Sequence, residues 1–208
     1  MTATVRGGDR TSLDTYPTPP WCVQSLTGAL SLPPGNWLEP SAGQGAIIRA
    51  VNRSDVHWSA VEIDPTHEAT LRPLVANVYM GDFLETQLGT FDVVIGNPPF
   101  SKAPQFVERS LGLANIVVML LRLSFVSTKG RFHLMGHNAP DMYVLPDRPQ
   151  FAGTNRDSSD YAWFVWHANQ NRRRGILHVL DPVPPANRKP FHMADYEVPF
   201  NVCDLLVQ

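Results

Sequence analysis

Asn97-Pro98-Pro99-Phe100 brings together residue types suited to holding a planar amine. The Asn97 side-chain carbonyl and a proline carbonyl supply two neutral acceptors. The paired prolines fix φ and remove two backbone donors that would otherwise compete for those acceptors. Phe100 adds a flat apolar face of the kind on which an aromatic base stacks. An exocyclic ring nitrogen is a poor nucleophile, because its lone pair is delocalised into the ring. Two acceptors binding both its hydrogens favour a more pyramidal nitrogen with a localised lone pair. Fixed dipoles aimed at the positive charge developing there stabilise the transition state more than the ground state. The segment predicts attack of an aromatic amine on an electrophilic methyl, with no separate general base.

Such a turn needs a frame. Phe91–Gly96 is an apolar run that reads as a buried strand ending at Asn97. Upstream, Trp37-Leu38-Glu39 reads as a short strand, Pro40 to Gly45 as a turn, and Ala46 onward as a helix start. Ser41, Ala42, Gly43 and Gly45 are small enough for backbone amides to approach a ligand closely, and Glu39 sets a carboxylate at the strand's end. By itself this segment is equally an ordinary strand-to-helix turn. His57 to Ile63 forms a second strand ending in Glu62-Ile63-Asp64-Pro65, with Glu62 23 positions beyond Glu39. An acidic residue about 20 positions after a glycine loop accepts from ribose hydroxyls in nucleoside-binding folds, and Glu62 is preferred to Asp64 for this. A third strand, Val75 to Met80, leads into Gly81-Asp82-Phe83. Any one of these carboxylates is equally a helix N-cap. Four successive strand ends bearing polar groups instead mark the edge where open α/β sheets bind ligands.

Taken in this order from Tyr16 to His167, the motifs resemble those of class I S-adenosylmethionine-dependent methyltransferases acting on amino groups, above all the N6-adenine DNA methyltransferases of the Asn-Pro-Pro-Phe type. The resemblance implies a Rossmann-like α/β fold with a mostly parallel central sheet and flanking helices. It assigns Asn97, Pro98, Pro99 and Phe100 to catalysis, with Asn97 also touching the cofactor. Glu39, Pro40, Ser41, Gly43 and Gly45 would embrace the methionine part of S-adenosyl-L-methionine, and Glu62 its ribose. Ile63 would give an apolar face to the cofactor adenine, and Asp82 with Phe83 would meet the adenine edge. Tyr16-Pro17-Thr18-Pro19-Pro20 is similar to the segment that precedes the glycine loop in these enzymes. Tyr16, Thr18 and Pro19 would then belong to the cofactor site, Thr18 offering a hydroxyl and helix-start amides to the methionine carboxylate. The implied activity is methylation of adenine N6 in DNA after the base is swung out of the duplex. Methyltransferases of RNA bases and of protein glutamine present similar turns, and a non-enzymatic nucleic-acid-binding module is a further alternative.

The chain has 208 residues, 43% of them hydrophobic, enough for one enzyme domain with a sizeable core. The expected organisation is a flexible segment 1–14, a catalytic domain 15–180 and a tail 181–208. Helices are expected at Trp21–Leu30 and Ala103–Leu113 and a fifth strand at Asn115–Leu121. Tyr161–His167 and Gly175–Leu180 are expected to close the domain as a C-terminal β-hairpin at the sheet edge. The proline- and glycine-rich insertion 138–159, with Tyr143, Phe151, Arg148 and Arg156, is read either as a contact to the strand around a flipped base or as a disordered cover.

Net charge is −2, which argues against nucleic acid at first sight. Glu39, Glu62 and Asp82 are claimed by the cofactor, however, and cations gather later in the chain. Lys102, Arg148, Arg156, Arg172, Arg173 and Arg174 are the candidate nucleic-acid contacts, although the triple arginine is equally a solvated turn between strands. With no separate recognition domain expected, specificity for DNA would be short, relaxed or supplied by a partner subunit, and a homodimer is open. His133 and His137 lie four apart, but Phe132–Met135 looks strand-like and no third ligand is near, so no metal is expected. Cys22 and Cys203 lack metal spacing, residues 1–14 lack a signal-type apolar core, and no apolar run reaches membrane-spanning length. A cytoplasmic location is the expectation.

Overall fold

The structure is a computed structural model that describes residues 16–127, 129–131, 134–135, 139–151, 158–168 and 175–193. Its frame is one sheet of eight strands. These are β1 (Gly35–Glu39), β2 (Val56–Glu62), β3 (Asn77–Met80), β4 (Phe91–Gly96), β5 (Ala114–Arg122), β6 (Asp141–Val144), β7 (Tyr161–His167) and β8 (Leu177–Val179). They lie in the order β3-β2-β1-β4-β5-β7-β6-β8. The first five run parallel, and among the described strands β7 alone is reversed, pairing antiparallel with both β5 and β6. The helices are α1 (Pro20–Ala29), α2 (Ala46–Val51), α3 (Glu68–Leu71) and α4 (Ala103–Leu111).

Both faces of the sheet are covered, which is why its strands read as near-continuous apolar runs. Trp21, Cys22, Val23 and Leu26 of α1 and Ile47, Ile48 and Val51 of α2 share one core with Trp37, Val93 and Ile95. On the other face Phe106 and Val107 of α4 pack with Leu38, Val94 and Val117. The aromatic run of β7 divides by parity: Tyr161, Trp163 and Val165 enter the first core, and Ala162, Phe164 and Trp166 the second. Its rings are therefore sheet packing, the period-2 outcome expected of a strand buried on both sides.

The expected C-terminal hairpin is corrected. Both of its strands form, but β7 is internal and β6 lies between it and β8, which pairs parallel with β6. β6 falls inside the segment read as a loop. Its four residues, Asp141-Met142-Tyr143-Val144, sit between Pro140 and Pro146, and that punctuation hides so short a strand. β8 is the exposed edge, with Leu177 58% and Val179 71% exposed. Leu134 and Met135 are helical, contrary to the strand-like reading, while His133 and His137 lie outside the described residues. Of the tail, Phe191 is buried and Arg188 pairs with Asp147 at 2.7 Å, so its described part packs against the domain.

The sheet order reverses direction at β1. The chain runs outward from β1 through β2 to β3, then returns to lay β4 on the other side of β1. The carboxyl ends of β1 and β4 therefore flank the crevice where ligands of open α/β sheets bind.

Candidate active site

A partly open cleft lies at that crevice, where ligands of open α/β sheets bind. Tyr16, Thr18, Glu39, Ser41, Gly43, Glu62, Ile63, Asn97 and Pro99 line it, together with Pro17, Ala42, Gln44 and Ala46. Four segments distant in the chain are thus brought together, as their positions at strand ends and before α1 require.

The loop after β1 owes its shape to two glycines. Gly43 and Gly45 have φ of 53° and 76°, in the left-handed region that favours glycine. A Cβ at Gly45 would also stand 2.7 Å from Leu74 Cδ1. The loop is tied to β2 by the Ala42 amide donating to Val61 O at 3.0 Å. The Gly43 amide donates to Glu62 Oε2 at 2.6 Å, and the Asp64 amide to Oε1 at 2.8 Å. Each Glu62 oxygen has one lone pair committed to backbone and one left over, so the carboxylate is fixed and still able to accept from a diol.

Glu39 ends β1 and is 2% exposed. Burial pushes its carboxyl well above the usual glutamate range. The Ile48 amide in the first turn of α2 opposes the shift with a hydrogen bond, and the neighbouring Glu62 adds to it. Its Oε2 is buried and has no hydrogen-bond partner. An orphaned buried acceptor costs free energy unless a donor arrives, so this atom marks where a cationic or donor group belongs.

Asn97 follows β4. Its Nδ2 donates to the Tyr16 carbonyl at 3.1 Å, which turns Oδ1 away as an acceptor. That Oδ1 is also buried without a partner. The turn's own carbonyls are not all free as expected: Asn97 O accepts from Ser41 Oγ at 3.3 Å, and Pro99 O from the Lys102 amide at 2.9 Å. Among the described residues nothing donates to Pro98 O, which leaves it and Asn97 Oδ1 as the available acceptors. The turn is wedged against the β1 end, since a Cβ at Gly96 would lie 2.9 Å from Pro40 Cδ.

Phe100 is enclosed. Tyr16 lies nearly parallel to it at 5.8 Å and 20°, Tyr161 is tilted at 5.7 Å, and Phe151 stands edge-on at 6.4 Å. The Arg122 guanidinium sits 4.4 Å from the ring centroid, while Arg122 Nε donates to Tyr161 Oη at 3.2 Å. Arg122 and Tyr161 had no signal as site residues beyond a place at the same sheet region. Phe151 does not reach outward as a strand contact but is buried in this cluster.

Other expected residues are placed differently. Asp82 and Phe83 do not line the cleft. Asp82 Oδ1 accepts from the Leu84 amide at 2.9 Å and Oδ2 pairs with Lys102 Nζ at 3.1 Å. These contacts, the amide foremost, hold its carboxyl below the usual aspartate range. The Phe83 ring is core, 4.9 Å from Phe106 and covered by Arg109. Lys102 is thus committed to Asp82, and Arg148 to Asp160 at 2.8 Å. Arg156, Arg172, Arg173 and Arg174 lie outside the described residues. Thr18 is buried and lines the cleft, but α1 offers few amides. Pro19 and Pro20 have none, and the Cys22 amide donates to Pro19 O. Among the described residues no group of three or more potential ligands is placed to hold a metal, and no helix is long and apolar enough to cross a membrane.

No protein-family model matches the chain. A type II methyltransferase, M.TthHB8I of Thermus thermophilus, is 31% identical over 130 residues, 60% of this chain, and the chain spans about 30% of the length of that curated relative. A protein of Listeria monocytogenes assigned to the class I S-adenosylmethionine-dependent methyltransferases superposes with a TM-score of 0.54 at 14% identity, over 77% of this chain and 62% of that one. The modification subunit assigned to a type I restriction enzyme of Vibrio vulnificus YJ016 gives 0.58 at 14%, over 87% and 51%. The 23S rRNA methyltransferase ErmE gives 0.55 at 19%, over 72% and 68%. The chain has the α/β fold of the class I methyltransferases, with its cleft at the carboxyl ends of β1 and β4.

Proposed function

We propose that this chain transfers a methyl group from S-adenosyl-L-methionine to the N6 amino group of adenine in DNA. The observation that carries the reading is Asn97 Oδ1, an acceptor buried without a partner on a cleft-lining residue, in a turn that continues through Pro98 to Phe100. The similarity to a type II methyltransferase over 130 residues supports DNA as the substrate class.

The cleft suits the cofactor on three counts. Glu39 Oε2 is an orphaned acceptor for its ammonium, the doubly anchored Glu62 accepts from its ribose hydroxyls, and Ile63, 49% exposed at the cleft wall, gives its adenine an apolar face. When bound, S-adenosyl-L-methionine supplies an electrophilic methyl on a positively charged sulfur. Asn97 Oδ1 and Pro98 O would each accept a hydrogen bond from the N6 amino group of the target base, which localises the lone pair on nitrogen for attack on such a methyl, and the surplus proton would leave from nitrogen to water. The two acceptors are fixed before reaction, Asn97 by Tyr16 O and Pro98 by its ring, so little reorganisation is needed as charge builds on nitrogen.

The test is transfer of a tritiated methyl group to DNA, RNA and protein, followed by nucleoside analysis. Label recovered as N6-methyladenine from DNA is the expected result. Label confined to RNA or protein, or no label with any acceptor, overturns the proposal.

A further inference from the structure

We infer that Tyr16 is the second plate of the substrate-base slot and the residue that positions Asn97, which restricts the site to flat aromatic amines; this rests on the reading above. Two contacts join Tyr16 to the catalytic turn, one from its backbone and one from its ring. The Tyr16 carbonyl accepts from Asn97 Nδ2 at 3.1 Å across 81 positions of sequence. An acceptor at that place admits only the amide's donor end, so it is Tyr16 that makes Oδ1, not Nδ2, the atom presented to an incoming amine. The ring lies 5.8 Å from Phe100 at 20°, whereas Tyr161 and Phe151 meet Phe100 at 46° and 65°. Among the described rings only Tyr16 is oriented to sandwich a base on Phe100.

Two stacked contacts of about 3.5 Å each require the plates to stand about 7 Å apart face to face, so a base enters only if the pair opens. Tyr16 is the plate able to move, being 39% exposed, while Phe100 is braced by Tyr161, Phe151 and the Arg122 guanidinium. Among the described residues the Tyr16 hydroxyl has no hydrogen-bond partner, so the plate depends on the ring and not on the phenol. An aliphatic amide such as a glutamine side chain gains nothing from two aromatic plates. A purine gains on both faces.

The experiment uses the full chain with oligonucleotides carrying adenine, or fluorescent 2-aminopurine at the target site, and compares wild type with Tyr16→Ala and Tyr16→Phe. Loss of one stacking plate is expected to raise the oligonucleotide KM of Tyr16→Ala by about 5- to 150-fold, from stacking of about 1–3 kcal/mol per base. The 2-aminopurine signal of the unstacked base should rise further than in wild type, and Tyr16→Phe should recover most of the loss. A Tyr16→Ala enzyme with a lower KM overturns the inference, since the ring would then be a plug that competes with the base. Parallel loss of cofactor affinity and thermal stability without a selective KM effect also overturns it, because the role would be structural. A wild-type protein that methylates no nucleobase overturns the underlying reading and the slot together, whereas active wild type with an indifferent Tyr16→Ala overturns the slot alone.

Discussion

Replacing Asn97 with alanine should separate stability from activity, because this side chain makes one interaction and withholds another. Deleting it removes the Nδ2 hydrogen bond to Tyr16 O, worth about 0.5–1.5 kcal/mol to folding. The same deletion removes the buried, unpartnered Oδ1, whose presence costs about 1–3 kcal/mol. The two nearly cancel, so the variant should melt within a few degrees of wild type and on the higher side if anything. In the transition state the lost acceptor is a fixed dipole beside developing positive charge, and removing such a group lowers kcat by about 100- to 1,000-fold. Calorimetric unfolding and single-turnover methyl transfer at saturating cofactor measure the two quantities. If activity fell only in proportion to a loss of folded protein, or if the rate stayed normal, the assignment of Oδ1 as a transition-state acceptor would be refuted.

Three further outcomes follow from the same geometry. Glu62→Ala should weaken cofactor binding by about 10- to 100-fold, the scale of hydrogen bonds to a charged group, and titration calorimetry reads it directly. Gly96→Ala drives a Cβ into the Pro40 ring and should cost about 1–3 kcal/mol in denaturant unfolding, with a lower turnover as the catalytic turn shifts from β1. Burial raises the folded pKa of Glu39 above the unfolded one, so its contribution to stability is full at low pH and is lost as pH rises through the raised value. Glu39→Gln should flatten that decline in a pH series of melting curves. A bound ammonium stabilises the ionised form, so cofactor binding to wild type should also release protons. Calorimetry in buffers of different ionisation enthalpy detects this, and the Glu39→Gln variant should lack it.

The parallel half of the molecule was legible because each strand is announced and then punctuated. Leu38-Glu39-Pro40, Val61-Glu62-Ile63 and Ile95-Gly96-Asn97 all show an apolar run broken by a polar residue where the sheet ends, and the structure places Glu39, Glu62 and Asn97 in one cleft. The antiparallel half was less so. β6 has four residues between prolines, and a strand's partner is not written in its composition, so β7 and β8 were paired with each other although β6 separates them. At Asp82 and Phe83 the residue types suited a cofactor, but local contacts absorb them: the Leu84 amide and Lys102 take the carboxylate, and Phe106 takes the ring. Lys102 is 20 positions from Asp82 and Phe106 is 23 from Phe83, and partners so far apart in sequence leave no mark on a one-dimensional pattern.

Within the cleft the two orphaned oxygens belong together. Glu39 Oε2 and Asn97 Oδ1 stand at the ends of adjacent parallel strands, β1 and β4, which pair through Trp37 with Val93 and Leu38 with Val94. A fold selected for stability alone would satisfy or replace both, since each costs free energy in the free protein. Two unpaired acceptors on neighbouring strand ends fit two donors brought by two different ligands, an ammonium on the β1 side and an aromatic amine on the β4 side. On the proposed reading the glycine loop and Glu62 would fix the first ligand lengthwise, and the Tyr16–Phe100 pair the plane of the second. Their reacting atoms would then meet where the strand order reverses, so that the topology of the sheet would set the direction of the proposed methyl transfer.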